Sequence, residues 1–162
     1  MPGPPRPYIA VVGAGEASAE DALVAEQVGR GLAEAGAVVV CGGLGGVMEA
    51  ACRGAKSAGG TTVGILPGAR RQDANPYVDV AIATGLGEAR NALVVRAVDA
   101  VIAVGGEYGT LSEIALALKS RTPVIGIDTW RLVRHGERLD AIVEVTSPAD
   151  AVTRALAACG LP

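Results

Sequence analysis

Short runs of Val, Ile and Ala alternate along the chain with stretches of helical periodicity. Tyr8–Val12 is continuously apolar and stops at Gly13, as a central strand does. Ser18, followed by an acid at Asp21, predicts an N-cap and a helix running to Ala35, where Gly36 ends it. Ala37–Cys41 predicts a second strand leading into Gly42-Gly-Leu-Gly-Gly46, and residues 47–58 are again helical in pattern, closed by Gly59-Gly60. Thr61–Leu66 is a third strand, followed by a polar loop from Gly68 to Asn75 that carries Arg70, Arg71 and Asp73. Val78–Ala83 predicts a fourth strand, Glu88–Ala97 a helix and Ala100–Val104 a fifth strand. Gly105–Gly109 then opens a helix to Ser120, and Pro123–Ile127 supplies a sixth strand. Ile142–Val145 is a candidate seventh, and Pro148–Cys159 a closing helix.

Strands that are apolar at nearly every position must be buried on both faces, which requires a mostly parallel sheet between helices. The predicted fold is therefore α/β: one Rossmann-like, doubly wound domain of six or seven strands over residues 8–162, behind a loose tail at 1–7. In such sheets ligands bind beyond the C-terminal ends of the strands, where the strand order switches. Three glycine-rich turns fall at strand ends: Gly13–Gly15, Gly42–Gly46 and Gly105–Gly109. Glycine lets an anion approach main-chain N–H groups, and a helix starting there adds unpaired donors. Three such turns at one sheet edge predict a phosphate or nucleotide cleft.

Composition narrows the class. Half of the 162 residues are hydrophobic but only 2% are aromatic, so the core is aliphatic. A net charge of −3 with no basic run argues against a nucleic-acid partner. His135 is the single histidine, and Cys41, Cys52 and Cys159 show no paired spacing, so neither a metal nor another cofactor is expected. The odd cysteine count and the absence of a secretory pattern predict a reducing, cytoplasmic setting. No apolar stretch reaches the roughly 18 residues of a membrane span.

Gly13-Ala-Gly15-Glu-Ala-Ser18 approximates a dinucleotide fingerprint, but Ser18 stands at the last glycine position. The second strand also ends Val40-Cys41-Gly42, without the acid that holds a ribose. A P-loop is absent, and Lys56 and Lys119, the only lysines, lie at no glycine loop. NAD, P-loop nucleotide and pyridoxal-phosphate chemistry are thereby disfavoured.

Arg90 together with Asp99-Ala-Val-Ile-Ala-Val-Gly-Gly-Glu-Tyr-Gly-Thr-Leu-Ser-Glu113 resembles the lonely-guy phosphoribohydrolases, a family long mislabelled as possible lysine decarboxylases. Its signature pairs R-K with P-G-G-x-G-T-x-x-E. Gly42-Gly-Leu-Gly-Gly-Val-Met48 resembles the upstream glycine segment of the same family. Gly105, Glu107 and Asn91 depart from that signature, and the nearer resemblance is to a branch similar to molybdenum-cofactor carrier proteins. The resemblance implies a phosphorylated small-molecule partner, either a nucleoside monophosphate or a pterin, and self-association as a homodimer or larger oligomer. The glycine turns and the resemblance together imply ligand contact at Gly13, Gly15, Gly42, Gly43, Gly46, Gly105, Gly106, Gly109 and Thr110. If the chain is an enzyme, it hydrolyses an N-glycosidic bond, with Arg90 holding the substrate and Glu113 assisting at the anomeric carbon. The alternative is a non-catalytic carrier or nucleotide sensor.

Simpler roles compete at these positions. Thr110 and Glu113, three apart at a helix start, have the pattern of a capping box. Arg90 could be a surface ion pair with Glu88, worth about 0–1 kcal/mol. Met48 reads as a core gap-filler, Asp99 as structural, His135 as a surface residue and the cysteines as small core residues.

Overall fold

The computed structural model describes residues 3–160. The chain runs β1 (Tyr8–Gly13), α1 (Ala19–Glu34), β2 (Val38–Cys41), α2 (Val47–Ser57), β3 (Thr61–Leu66) and β4 (Val80–Ala83). It continues α3 (Asn91–Arg96), β5 (Ala100–Val104), α4 (Tyr108–Lys119), β6 (Val124–Ile127), β7 (Leu132–Arg134), β8 (Glu137–Leu139), β9 (Val143–Val145) and α5 (Pro148–Ala158). Seven strands form one parallel sheet in the order β4-β3-β2-β1-β5-β6-β9. The doubly wound α/β fold is thus as the sequence predicts. Strand order reverses between β1 and β5, so the ligand crevice of such a sheet lies beyond Gly13 and Val104.

Both faces of the sheet are packed. Ile9, Val11, Ile102 and Val104 enter one core with residues of α1, α2 and α5. Their strand neighbours Ala10, Val12, Val101 and Ala103 enter a second core with residues of α3 and α4. This is the period-two side-chain alternation of a strand with no solvent face, and it explains the continuous aliphatic runs. Ser18 caps α1 by accepting a hydrogen bond from the Asp21 amide at 3.1 Å, as expected.

Several local expectations shift. Met1 and Pro2 of the expected loose tail lie outside the described residues. The end of that segment is tied down: Arg6 donates to the Gly36 carbonyl at 3.0 Å, and the Pro7 carbonyl accepts from Val38 at 2.8 Å. The seventh strand is β9, but before it stands an unforeseen antiparallel hairpin of β7 and β8. Its turn residues His135 and Gly136 both have positive φ, the geometry of a tight hairpin turn that His-Gly does not advertise in sequence. His135 is exposed there, and Asp99 is structural, its carboxylate accepting from the Tyr8 amide at 2.8 Å. Among the described residues no helix is long and apolar enough to cross a membrane.

Helices α1 and α2 cross at glycines. A methyl group on Gly29 would collide with the Ala51 carbonyl, and one on Gly54 with the Glu26 carbonyl. Gly29→Ala is therefore expected to destabilise the fold by about 2 kcal/mol and lower the thermal midpoint by roughly 4–8 °C. Helix propensity alone predicts a gain of about 1 kcal/mol for the same change. A raised midpoint in a thermal melt would show that the close crossing does not constrain the helices.

Candidate functional site

The turns after β1 and β2 meet, and Gly109 of the turn after β5 reaches the same place, because these strands are neighbours in the sheet. The Val47 amide donates to the Ala14 carbonyl at 3.0 Å, joining the turn after β2 to the turn after β1. Gly46 has φ +63° and so little room that a Cβ would strike Ala14 and Gly15. Next to this junction, the end of β2, the start of α3 and the first turns of α4 enclose a cavity of about 410 Å³. Gly13, Gly15, Gly109, Thr110, Arg90 and Glu113 line it together with Leu44, Met48, Pro67 and Asn91.

Arg90 defines this cavity. It is only 8% exposed, and its Nε is buried with no hydrogen-bond partner among the described residues. One terminal nitrogen donates to the Asn91 side-chain oxygen. The guanidinium lies over the end of β2, where a Cβ at Gly42 would come within 2.8 Å of an Arg90 nitrogen. Gly42 is thus needed for the close approach of the cation. The expected surface pair with Glu88 is not present, because Arg90 turns inward rather than along the helix surface. An unpartnered buried donor is rare in proteins and costs about 1–3 kcal/mol, more when charged.

Glu113 stands beside it, 7% exposed, on the inward face of α4. Burial pushes its carboxyl up to about 7, and the nearby Arg90 charge only partly offsets that shift. The carboxyl is therefore divided between neutral and charged forms near neutral pH. The capping-box reading of Thr110 and Glu113 does not hold. Helix α4 starts at Tyr108 with Glu107 as N-cap, so Thr110 is already its third residue, and no side chain caps the helix start. Thr110, 3% exposed, instead packs against Gly106, and the first-turn amides are left without a side-chain partner.

Of the remaining predicted residues, Gly42, Gly43 and Gly46 support the cavity rather than line it. Gly43 packs on Leu66, and Gly46 seals the junction with the first turn. Gly105 and Gly106, at φ +55° and +113°, face a different and larger cavity of about 880 Å³ beyond β5, β6 and β9. Asp21, Asp128, Glu144 and Glu107 put carboxylates around that space, and its Arg131 is already paired with Glu144 at 3.0 Å. Such a lining repels anions; the smaller cavity is also bordered by Glu88 and Glu107, both exposed, but it holds the buried cation and the open helix start. Glu107 lies on the wall between the two cavities and borders both. The polar loop with Arg70, Arg71 and Asp73 stays at the surface, with Arg70 and Asp73 3.8 Å apart.

Sequence spacing gave no sign of two further features. Asn91 is buried against Arg90, although in sequence it stands only where the family signature has lysine. Cys41 and Cys52, eleven residues apart, meet with their sulfurs 3.5 Å from each other.

Known proteins bear out this arrangement of strands and loops. The molybdenum cofactor binding protein of the phototrophic bacterium Rippkaea orientalis superposes with a TM-score of 0.83 at 40% identity, covering 93% of this chain and 95% of that one. The molybdenum cofactor carrier protein of Chlamydomonas reinhardtii gives a TM-score of 0.82 at 30% identity, covering 96% and 99%. An uncharacterized protein of Archaeoglobus fulgidus is 54% identical over 112 residues, 68% of this chain and 73% of its own length. The SLOG cluster 4 family model matches residues 6–152, from before β1 into α5. The chain belongs to the SLOG cluster 4 family.

Proposed function

We propose that the chain binds a phosphorylated heterocyclic small molecule of the molybdenum-cofactor class and holds it as a carrier. One observation carries this reading: a buried guanidinium, Arg90, whose Nε has no partner among the described residues, set beside the uncapped start of α4 in a cavity of about 410 Å³. A phosphate there would accept from Arg90 and from the first-turn amides of α4, with Gly15 and Gly109 leaving the backbone open to close approach. The likeness to a cofactor binding protein and to a cofactor carrier, each over nine-tenths of both chains, favours a pterin ligand over a simple nucleotide. Among the described residues no cluster of His, Cys, Asp or Glu could hold the cargo's metal, so recognition is assigned to the phosphate and the ring.

A second reading is hydrolysis of the N-glycosidic bond of a nucleoside 5′-monophosphate. Glu113 favours it, because a carboxyl that titrates near 7 is suited to proton transfer.

Calorimetry with purified protein separates the readings. A phosphorylated pterin is expected to bind, its dephosphorylated form to bind far more weakly, and AMP incubated with the protein to release no adenine on chromatography. Arg90→Ala is expected to weaken binding by about 10–100-fold, the value of one charge-assisted contact. Equal affinity with and without phosphate would remove the proposal. Adenine release that disappears in Glu113→Gln would establish the second reading instead.

Glu113 also predicts a pH dependence. Its folded value lies above its ordinary one of 4.5, so the folded state holds the extra proton between about 4.5 and 7. The stability this gives is complete below that window and is lost as pH rises through 7, by about 3 kcal/mol in all. Glu113→Gln is therefore expected to raise the thermal midpoint at pH 8 and to change it little at pH 4.5 or below. Equal shifts at both pH values would show that Glu113 ionises as freely as an exposed acid.

A further inference from the structure

Cys41 closes β2 and Cys52 lies on α2, so the strand, the Gly42–Gly46 turn and the helix fold back to bring the two sulfurs to 3.5 Å. Both side chains are fully buried, and both thiols are free. They form a small cluster with Met48, against which Leu44 packs. Met48 and Leu44 are also walls of the Arg90 cavity, so a single layer of side chains separates the sulfurs from that space. A disulfide needs the sulfurs at about 2.05 Å, which a movement of roughly 1.5 Å would achieve. That movement runs between the end of a strand and the second turn of a helix, across a turn containing four glycines.

From this juxtaposition we propose that Cys41 and Cys52 are a modification site, a dithiol that closes reversibly to a disulfide behind the glycine turn. The oxidant class it fits is a small hydroperoxide, compact enough to pass between the side chains of that layer. The Cys41 sulfur is the nucleophile. The Gly43 amide donates to it at 3.3 Å, and the Cys52 sulfur lies within hydrogen-bond reach at 3.5 Å, where either thiol can donate; the Cys52 contact most of all holds the Cys41 thiol below its ordinary range. The same pairing pushes Cys52 up. The Cys41 thiolate attacks the peroxide O–O bond, giving Cys41 sulfenic acid, and the leaving oxygen takes up the proton that Cys41 gave to solvent and departs as alcohol or water. The Cys52 sulfur then attacks the Cys41 sulfur, and the departing hydroxide takes the Cys52 proton as water. Two thiols are oxidised, one peroxide is reduced by two electrons, and the balance closes. The new bond would tie β2 to α2 and remove the sulfur charge that the Gly43 amide faces.

The test is a thiol count on the intact chain, which does not depend on any ligand. Reduced protein is treated with hydrogen peroxide under native conditions, then denatured, alkylated and weighed. The expected result is a fall from three alkylated cysteines to one, with a Cys41–Cys52 linked peptide after digestion and full recovery with dithiothreitol. Cys159→Ser is expected to give the same linkage. In Cys52→Ser, sulfenic acid is expected to accumulate on Cys41 and to be trapped by a dione reagent. The proposal is overturned if all three thiols survive, if the linkage contains Cys159, or if it forms only after unfolding. The wild-type result decides the matter even if the Cys52 variant does not fold.

Discussion

The site depends on the burial of one positive charge. Taking a guanidinium out of water costs several kcal/mol even after the protein relaxes around it. Arg90 is repaid in part by the Asn91 amide oxygen and by the Glu113 carboxyl, while its Nε stays unpaired. The surrounding backbone is shaped to admit this group: β2 ends in Gly42, where any side chain would displace the guanidinium. The missing ribose-binding acid at the end of β2 has the same origin. That position is occupied by Cys41, which turns into a sulfur-rich core, and the next residue must be bare. Under the proposed reading, a cation held at this cost without full compensation from the chain is completed by an anion arriving from outside.

Glu113 makes the arrangement conditional. Were it fully ionised, it would neutralise Arg90 and leave an incoming phosphate little net attraction. Burial prevents that by raising its carboxyl to about 7. A phosphate beside the pair would add negative charge and raise it further, so anion and proton favour each other. The helix start of α4 contributes in the same direction, because its first-turn amides lack a side-chain cap.

The fold was legible because its strands are aliphatic at consecutive positions and its glycines stand at their ends. Ile9 and Val11 on one face and Ala10 and Val12 on the other make β1 recognisable as a central strand. Arg90, Thr110 and Glu113, singled out by their resemblance to the lonely-guy signature, stand together at one cavity with Gly13, Gly15 and Gly109. What failed was local geometry. Thr110 and Glu113 have the spacing of a cap, but Tyr108 and Gly109 extend α4 backwards and move both residues into the helix body. Gly105 and Gly106 belong to the expected loop, yet their positive φ carries that loop toward the larger cavity. The β7–β8 hairpin was hidden because histidine and glycine together are a weak turn signal. The Cys41–Cys52 contact was hidden because a strand–turn–helix return is invisible to residue spacing.

The protonation of Glu113 also bears on the choice between holding a ligand and cleaving it. Cleaving a glycosidic bond builds positive charge at the anomeric carbon, which a carboxylate stabilises and a neutral carboxyl does not. The phosphate that Arg90 would attract is the group that would keep Glu113 protonated, so the bound state favours the neutral form. A neutral Glu113 donates a hydrogen bond, adding to the hold on the anion. It could still protonate a leaving base, but it would lack a negative partner to steady the charge left behind. Among the described residues lining the cavity, the other acids are Glu88 and Glu107, both exposed and therefore well solvated. On charge alone, the proposed carrier reading fits this cavity better than the hydrolytic one.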